Sequence, residues 1–198
     1  MLFIVSGASG VGKTTLCQRL LSEFREMTVS VSYTTRAPRG AEADGVDYHF
    51  VAEQVFDQMV EAGAFAEWAT VHGNRYGTAR RTIDDAFDRG RAVLFDIDYQ
   101  GTESLLRHYA DAVATMLLPP DMATLERRLR SRATDSEAVI LRRLEAARRE
   151  IRHHASFHYL VINDDLDRAY DELRSVYVAE RARASRRAAV VEQRFELG

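Results

Sequence analysis

Ser6-Gly7-Ala8-Ser9-Gly10-Val11-Gly12-Lys13-Thr14-Thr15 governs how the rest of the chain is read. It fits the pattern G-x-x-x-x-G-K-[ST] and stands between an apolar run, Leu2-Phe3-Ile4-Val5, and a stretch in which Leu16, Leu20, Leu21 and Phe24 recur at helical spacing. Strand, glycine loop and helix are the context the pattern needs. Glycines at 7, 10 and 12 let the backbone wrap a polyphosphate, so that N–H groups and the positive end of the helix dipole meet the anion. Lys13 then reaches the terminal phosphates, and the Thr14 hydroxyl ligates a magnesium ion. The bland alternative is a glycine-rich turn that merely precedes a helix. Composition argues against it: the chain holds 27 lysines plus arginines, and lysine occurs only at position 13. A compact ammonium fits among phosphate oxygens where a planar guanidinium does not.

The 198 residues, 46% hydrophobic and 29% charged, describe a globular chain large enough for one core with appended subdomains. No run approaches the roughly 20 apolar residues of a membrane helix, and the first strand begins at once, so neither a membrane span nor a signal peptide is expected. Cys17 is the lone cysteine, which suits a reducing, cytoplasmic setting. A formal charge of −3 argues against a general nucleic-acid binder, although arginines cluster between positions 127 and 152. There is no internal repeat, and compositional bias is confined to the arginine- and alanine-rich stretch around 181–189.

Along the chain, Val29 to Tyr33 alternates like a strand before Thr34-Thr35-Arg36-Ala37-Pro38-Arg39-Gly40 breaks into a polar loop. Its two arginines suit an anion, because a guanidinium grips phosphate oxygens with parallel hydrogen bonds; two solvated loop arginines are the alternative. Asp47 to Val51 reads as a strand, followed by a short helix with Phe56, Met59 and Val60 on one face and Gly63 as its stop. Phe65-Ala66-Glu67-Trp68-Ala69 leads to a turn, Gly73-Asn74-Arg75-Tyr76-Gly77-Thr78. Ala92 to Asp96 has the form of a buried parallel strand delivering a carboxylate to the sheet edge where ligands bind. Asp98 is a weaker second acid. Ala114 to Leu118 is another core strand, ended by Pro119-Pro120.

In the basic segment, Leu125 and Leu129 mark one helix face and Arg128 and Arg132 another. Thr134-Asp135-Ser136-Glu137 reads as a capping box opening a second helix that buries Ile140, Leu144, Ala147 and Ile151. Solvated helix charges are the default reading of its arginines. Tyr159 to Asn163 is a last strand, and Leu166, Ala169, Leu173, Val176 and Tyr177 form a helix stripe. The tail from Arg181 is helical in composition and carries no readable function.

Taken together, the phosphate loop, Ser32 through Arg39, Asp47-Tyr48-His49-Phe50, Glu67-Trp68-Ala69, Gly73 to Thr78, Leu94 to Gly101, Leu118-Pro119-Pro120 and Ile162 to Asp167 resemble the guanylate kinase family, in its order and over nearly the whole chain. The resemblance implies a phosphate-loop α/β fold: a parallel sheet core flanked by helices (1–30, 82–120 and 153–198), an inserted GMP-binding region (31–81) and a helical lid (121–152). It implies ATP contacts by Gly7, Ala8, Ser9, Gly10, Val11, Gly12, Lys13, Thr14, Thr15 and Asn163, and GMP contacts by Ser32, Arg36, Arg39, Tyr48, Glu67, Tyr76, Thr78 and Asp96. Glu67 would read guanine, since one carboxylate can accept both the N1–H and the exocyclic amino hydrogens. Asp96 would orient an arginine or a magnesium-bound water. Lys13, Arg39, Arg128, Arg132 and Arg143 would neutralise the transferring phosphate. Arg75 departs from the aromatic or apolar residue common at its family position. The reaction so implied is ATP plus GMP, and by extension dGMP, giving ADP and the diphosphate, with magnesium as cofactor and with neither nucleic acid nor membrane as partner. Two other classes are a guanylate-kinase-like interaction module without catalysis and a kinase for another small molecule. Lys13 and the arginine set oppose the first, and Glu67 with the Ser32 and Thr78 hydroxyls opposes the second.

Overall fold

A computed structural model describes residues 1–71, 73–131 and 136–196. In chain order its elements are β1 (Leu2–Ser6), α1 (Lys13–Glu23), β2 (Met27–Val29), β3 (Tyr33–Thr34), β4 (His49–Phe50), α2 (Glu53–Glu61), β5 (Phe65–Val71), β6 (Asn74–Ala79) and α3 (Arg80–Asp88). Then follow β7 (Ala92–Asp96), α4 (Tyr99–His108), β8 (Val113–Leu118), α5 (Met122–Arg130), α6 (Glu137–Ile151), β9 (Tyr159–Ile162), α7 (Leu166–Arg181) and α8 (Ala184–Phe195).

Five strands make a parallel sheet in the order β2-β7-β1-β8-β9. β1 lies at its centre and is buried along its whole length. Because successive strand side chains point to opposite faces, Phe3 and Val5 join one core with Leu16 and Leu20 of α1 and Leu173 and Tyr177 of α7. Leu2 and Ile4 join the other, with Ile83 of α3, Phe95 of β7 and Leu105 of α4. Burial on both faces is why this strand is a continuous apolar run.

The second sheet, β4-β3-β6-β5, is mixed: β3 and β4 are parallel, and β6 is antiparallel to both β3 and β5. Here the structure departs from the sequence reading. The alternation from Val29 to Tyr33 predicts one strand, yet β2 ends at Val29 beside β7 and β3 starts at Tyr33 in the other sheet. Ser30 N–H still donates to Leu94 O at 2.8 Å, after which the chain crosses between sheets; pairing partners far along the chain fix the break. The strand expected over Asp47–Val51 is confined to His49 and Phe50. The expected turn Gly73–Thr78 is a strand from Asn74 onward, its polar residues paired with β5 from Val71↔Asn74 to Phe65↔Ala79. Gly77 lies under an aromatic ring: a Cβ there would come within 2.9 Å of the Phe65 ring.

α5 and α6 form a third layer, with Leu125, Leu129, Ile140 and Leu144 packed around Ala8 of the phosphate loop. The described part of α6 begins at Glu137 after Ser136, whose side chain makes no capping bond; Thr134 and Asp135 of the expected capping box lie outside the described residues. Among the described residues, no helix is long and apolar enough to cross a membrane.

Candidate active site

A cleft of about 490 Å³ opens at the C-terminal edge of the parallel sheet, walled by the loop after β1 on one side and by the second sheet on the other. This is the edge at which open α/β sheets take ligands. The loop reaches the wall through backbone conformations that only glycine adopts freely: Gly7, Gly10 and Gly12 have φ of 142°, 90° and 100°. At Gly7 space is the constraint as well, since a Cβ would lie 2.3 Å from Leu117 O. α1 then begins with no side-chain cap and no acidic residue in its first turn, which leaves its N–H groups and dipole directed at the cleft.

Lys13 Nζ donates to Gly7 O at 2.5 Å and lies 3.9 Å from Asp96 Oδ1. Asp96 is delivered there because β7 pairs with β1 in register, Val5 opposite Asp96. Its carboxylate keeps a third of its surface open but sits deep between the walls, and that burial pushes its pKa up against the opposing pull of Lys13. Asn163, just past β9, is 3% exposed and donates its Nδ2 hydrogen to Val11 O at 2.7 Å, so its side-chain amide braces the loop.

The opposite wall is built from β3, β5, β6 and the segment leading to β4. Arg36, 8% exposed, donates from Nε to Tyr76 Oη at 3.2 Å and from Nη2 to Glu42 Oε1 at 3.0 Å, and its guanidinium lies 5.3 Å from the Tyr48 ring centre. Glu42 also accepts from Arg39 N–H at 2.8 Å, and the hydrogen bond from Arg36 holds its carboxyl below the usual range. Arg39 is exposed at the cleft mouth. Burial raises the Tyr48 phenol.

Glu67 on β5 is 5% exposed, and burial pushes its pKa up to about 7, with Thr78 lowering and Asp98 raising it further. Its register partner is Thr78, a fully buried residue whose hydroxyl lies against the Glu67 carboxylate and favours its charged form. Ser32 is buried on the same wall. Among the described residues no ion pair neutralises Glu67, and a buried carboxylate of that kind is costly in a folded chain. It forms a surface ready to bind hydrogen-bond donors.

Over the loop, Arg143 Nη1 is 3.5 Å from Ser9 Oγ and Arg128 Nη2 donates to Asn163 O at 2.9 Å. Arg132 lies outside the described residues. Arg75 points away from the cleft: it pairs with Glu53 and, at 2.6 Å, with Asp57, and it covers the Phe56 ring, tying β6 to α2.

Among the charged residues of the cleft, sequence reasoning missed Glu42 and Glu150, and it also passed over Val71. No pattern marks Glu42, six residues beyond Arg36 and joined to it by loop closure. Glu150 stands seven residues after Arg143, two helical turns along one face of α6, and that spacing was available. Burial raises its pKa and Lys13 lowers it. Asp98 caps α4, accepting from Gly101 N–H at 2.9 Å. Cys17 is buried, and that burial raises its thiol pKa well above the usual range, so it is no nucleophile.

The family model described as guanylate kinase matches residues 1–180. The chain belongs to the guanylate kinase family. It is 53% identical over 186 residues to the guanylate kinase of Syntrophotalea carbinolica, covering 94% of this chain and 89% of that one. To that of Myxococcus xanthus it is 51% identical over 187 residues, covering 94% and 90%. The crystal structure of guanylate kinase from Anaplasma phagocytophilum superposes with a TM-score of 0.79 at 31% identity, covering 98% of this chain and 94% of that one. The phosphate loop, the second sheet and the α5–α6 layer of this guanylate kinase family member thus meet around one cleft.

Proposed function

We propose that this chain catalyses phosphoryl transfer from ATP to GMP, giving ADP and GDP. One observation carries the reading: a phosphate loop with its lysine and a buried acceptor, Glu67, face each other across one cleft. The loop N–H groups and Lys13 take the ATP phosphates. Glu67 accepts the N1–H and amino hydrogens of guanine, with the Ser32 and Thr78 hydroxyls beside it. Arg36, Arg39, Tyr48 and Tyr76 hold the GMP phosphate, and the bond between Arg36 and Glu42 sets the guanidinium in place beforehand. A GMP phosphate oxygen attacks the γ-phosphorus in line, the O–P bond to ADP breaks, and its electron pair leaves on ADP. The protein supplies orientation and charge. Arg128, Arg132 and Arg143 bring positive charge from residues 121–152 as that segment closes. Asn163 serves the ATP side by bracing the loop.

Thr14 and Asp96 are the residues that would hold magnesium. Among the described residues no cluster of three or more His, Cys, Asp or Glu could hold a metal unaided, and the Thr14 hydroxyl with the Asp96 carboxylate suits a cation that keeps waters and substrate phosphates as its other ligands. Bound there, magnesium supplies charge neutralisation of the ATP phosphates. A cytoplasmic place of work is supported by the lone, buried, unbridged Cys17. The test is ADP formation from ATP with GMP, dGMP, AMP, UMP and CMP in turn, with and without magnesium. Turnover with GMP and dGMP alone is expected, and a preference for AMP or a pyrimidine nucleotide refutes the assignment.

A further inference from the structure

Gly101 lies in the first turn of α4 with no positive φ to require a glycine, and inside a helix glycine is less stable than alanine. The reason for it therefore lies outside its own backbone. A Cβ at Gly101 would stand 2.7 Å from Glu67 Oε2 and 3.3 Å from its Cδ. Neither backbone is free to retreat. α4 is pinned by Asp98, whose Oδ1 accepts from Gly101 N–H at 2.9 Å and whose carbonyl accepts from the buried Thr102 hydroxyl at 2.8 Å. β5 is pinned by its ladder with β6, Glu67 opposite Thr78. The part that can yield is the end of the Glu67 side chain.

We propose that Gly101 is a specificity-setting position: its missing side chain lets the Glu67 carboxylate lie against the first turn of α4, at the depth where it meets the two guanine donors. The inference rests on the reading of Glu67 as the guanine acceptor. Gly101 is not among the residues that line the cleft and acts as a positioning residue. A methyl group there displaces the carboxylate while the fold stays intact, because the end of a flexible side chain moves at little cost. Misplacement of a recognition group by about 1 Å can cost ~100-fold.

The experiment is Gly101→Ala in the full chain, alone and combined with Glu67→Asp, whose carboxylate ends one methylene further back. Gly101→Ala is expected to lower kcat/KM for GMP by about 10- to 100-fold, mainly through KM, while KM for ATP stays within about twofold and the melting temperature holds or rises. In the Glu67→Asp background the same change should cost less than about threefold, since the atom it displaces has already withdrawn. Unchanged GMP kinetics in Gly101→Ala, or an equal loss in both backgrounds, overturns the proposal. Should Gly101→Ala melt early, Glu67→Ala in the same chain restores the melting temperature if the clash is with this carboxylate; persistence of the loss overturns it. The functional reading fails separately. If Glu67→Gln leaves the ratio of GMP to AMP efficiency unchanged, Glu67 does not read guanine, whereas a sensitive Glu67→Gln with an indifferent Gly101→Ala sinks only the role of Gly101.

Discussion

The two walls of the cleft are made in opposite ways. The phosphate loop is one continuous segment whose geometry is backbone geometry, held by Lys13 on Gly7 O and by Asn163 Nδ2 on Val11 O. The facing wall is gathered from Ser32, Arg36, Tyr48, Glu67 and Tyr76, with Thr78 paired to Glu67 behind it. It keeps a buried carboxylate whose pKa burial raises, with no ion pair to it among the described residues. An anion site can be built from N–H groups that any helix start already exposes, so it costs the fold little. Reading a base requires side-chain acceptors kept dry, and the fold bears that cost. One wall should then fail in chemistry when altered, the other in selectivity and in pH-dependent stability.

Lys13→Arg gives the largest effect and attacks the first wall. It preserves charge, yet a guanidinium cannot enter the space beside Gly7 O and Asp96 that the ammonium fills. Turnover should fall on the order of 100- to 1,000-fold, the loss typical for one transition-state charge contact, with the melting temperature little changed. Near-normal turnover in the folded variant would make the loop a tolerant anion site and erase the contrast.

Glu67→Gln attacks the second wall twice. The native carboxyl titrates near pH 7 against an ordinary value of 4.5, so between those pH values the folded chain holds a proton that the unfolded chain releases. Stability from this group is whole below the unfolded pKa and is lost as pH rises through the folded one. Gln cannot ionise. Relative to the native protein the variant should therefore gain stability from pH 5 to pH 8, by as much as ~3 kcal/mol, in chemical melts at both values. An equal difference at both pH values would mean that Glu67 is not desolvated. The same variant turns one acceptor oxygen into a donor facing a guanine hydrogen. Its kcat/KM for GMP should fall about 100-fold, with AMP little affected. In the native enzyme kcat/KM for GMP should also climb through pH 7 more steeply than in the variant, since the GMP phosphate titrates alike in both.

The same contrast decides what was legible in the chain. β1, the loop and α1 could be read because the signals are local: an apolar run, three glycines with one lysine, and leucines at helical spacing. The second sheet was hidden because β3, which joins its other strands, is defined by partners far along the chain, Tyr33 by His49 and Gly77: Val29–Tyr33 looks like one strand and is split between sheets, and Asn74–Thr78 looks like a turn and is a strand paired with both β3 and β5. α3 and α4 were not anticipated, although Ile83, Ala86 and Leu105 anchor them in the core. The site residues of the second wall were named through resemblance, since no spacing rule places Tyr48 on the Arg36 guanidinium or Glu42 beneath it. The role of Gly101 escaped because it lies in what approaches it from another element, the Glu67 carboxylate.

Arg75 supplies the smallest effect and the control for that wall. It stands on the same strand as Tyr76 and Thr78, but strand side chains alternate, and its guanidinium reaches across the outer surface to Glu53, Asp57 and the Phe56 ring. Both carboxylates are largely exposed while the arginine is 18% exposed, so water screens the ion pairs and the stacked contact with Phe56 carries part of the stabilisation. Arg75→Ala should lower the midpoint of chemical melts only slightly and leave the ratio of GMP to AMP efficiency within about twofold. Arg75→Lys, which keeps the charge and loses the planar fork, should recover only part of that stability. If Arg75→Ala instead lowered GMP efficiency tenfold with an unchanged melting temperature, the outer face of β6 would belong to the substrate site, and the division between a self-contained phosphate loop and a wall braced from behind would have to be redrawn.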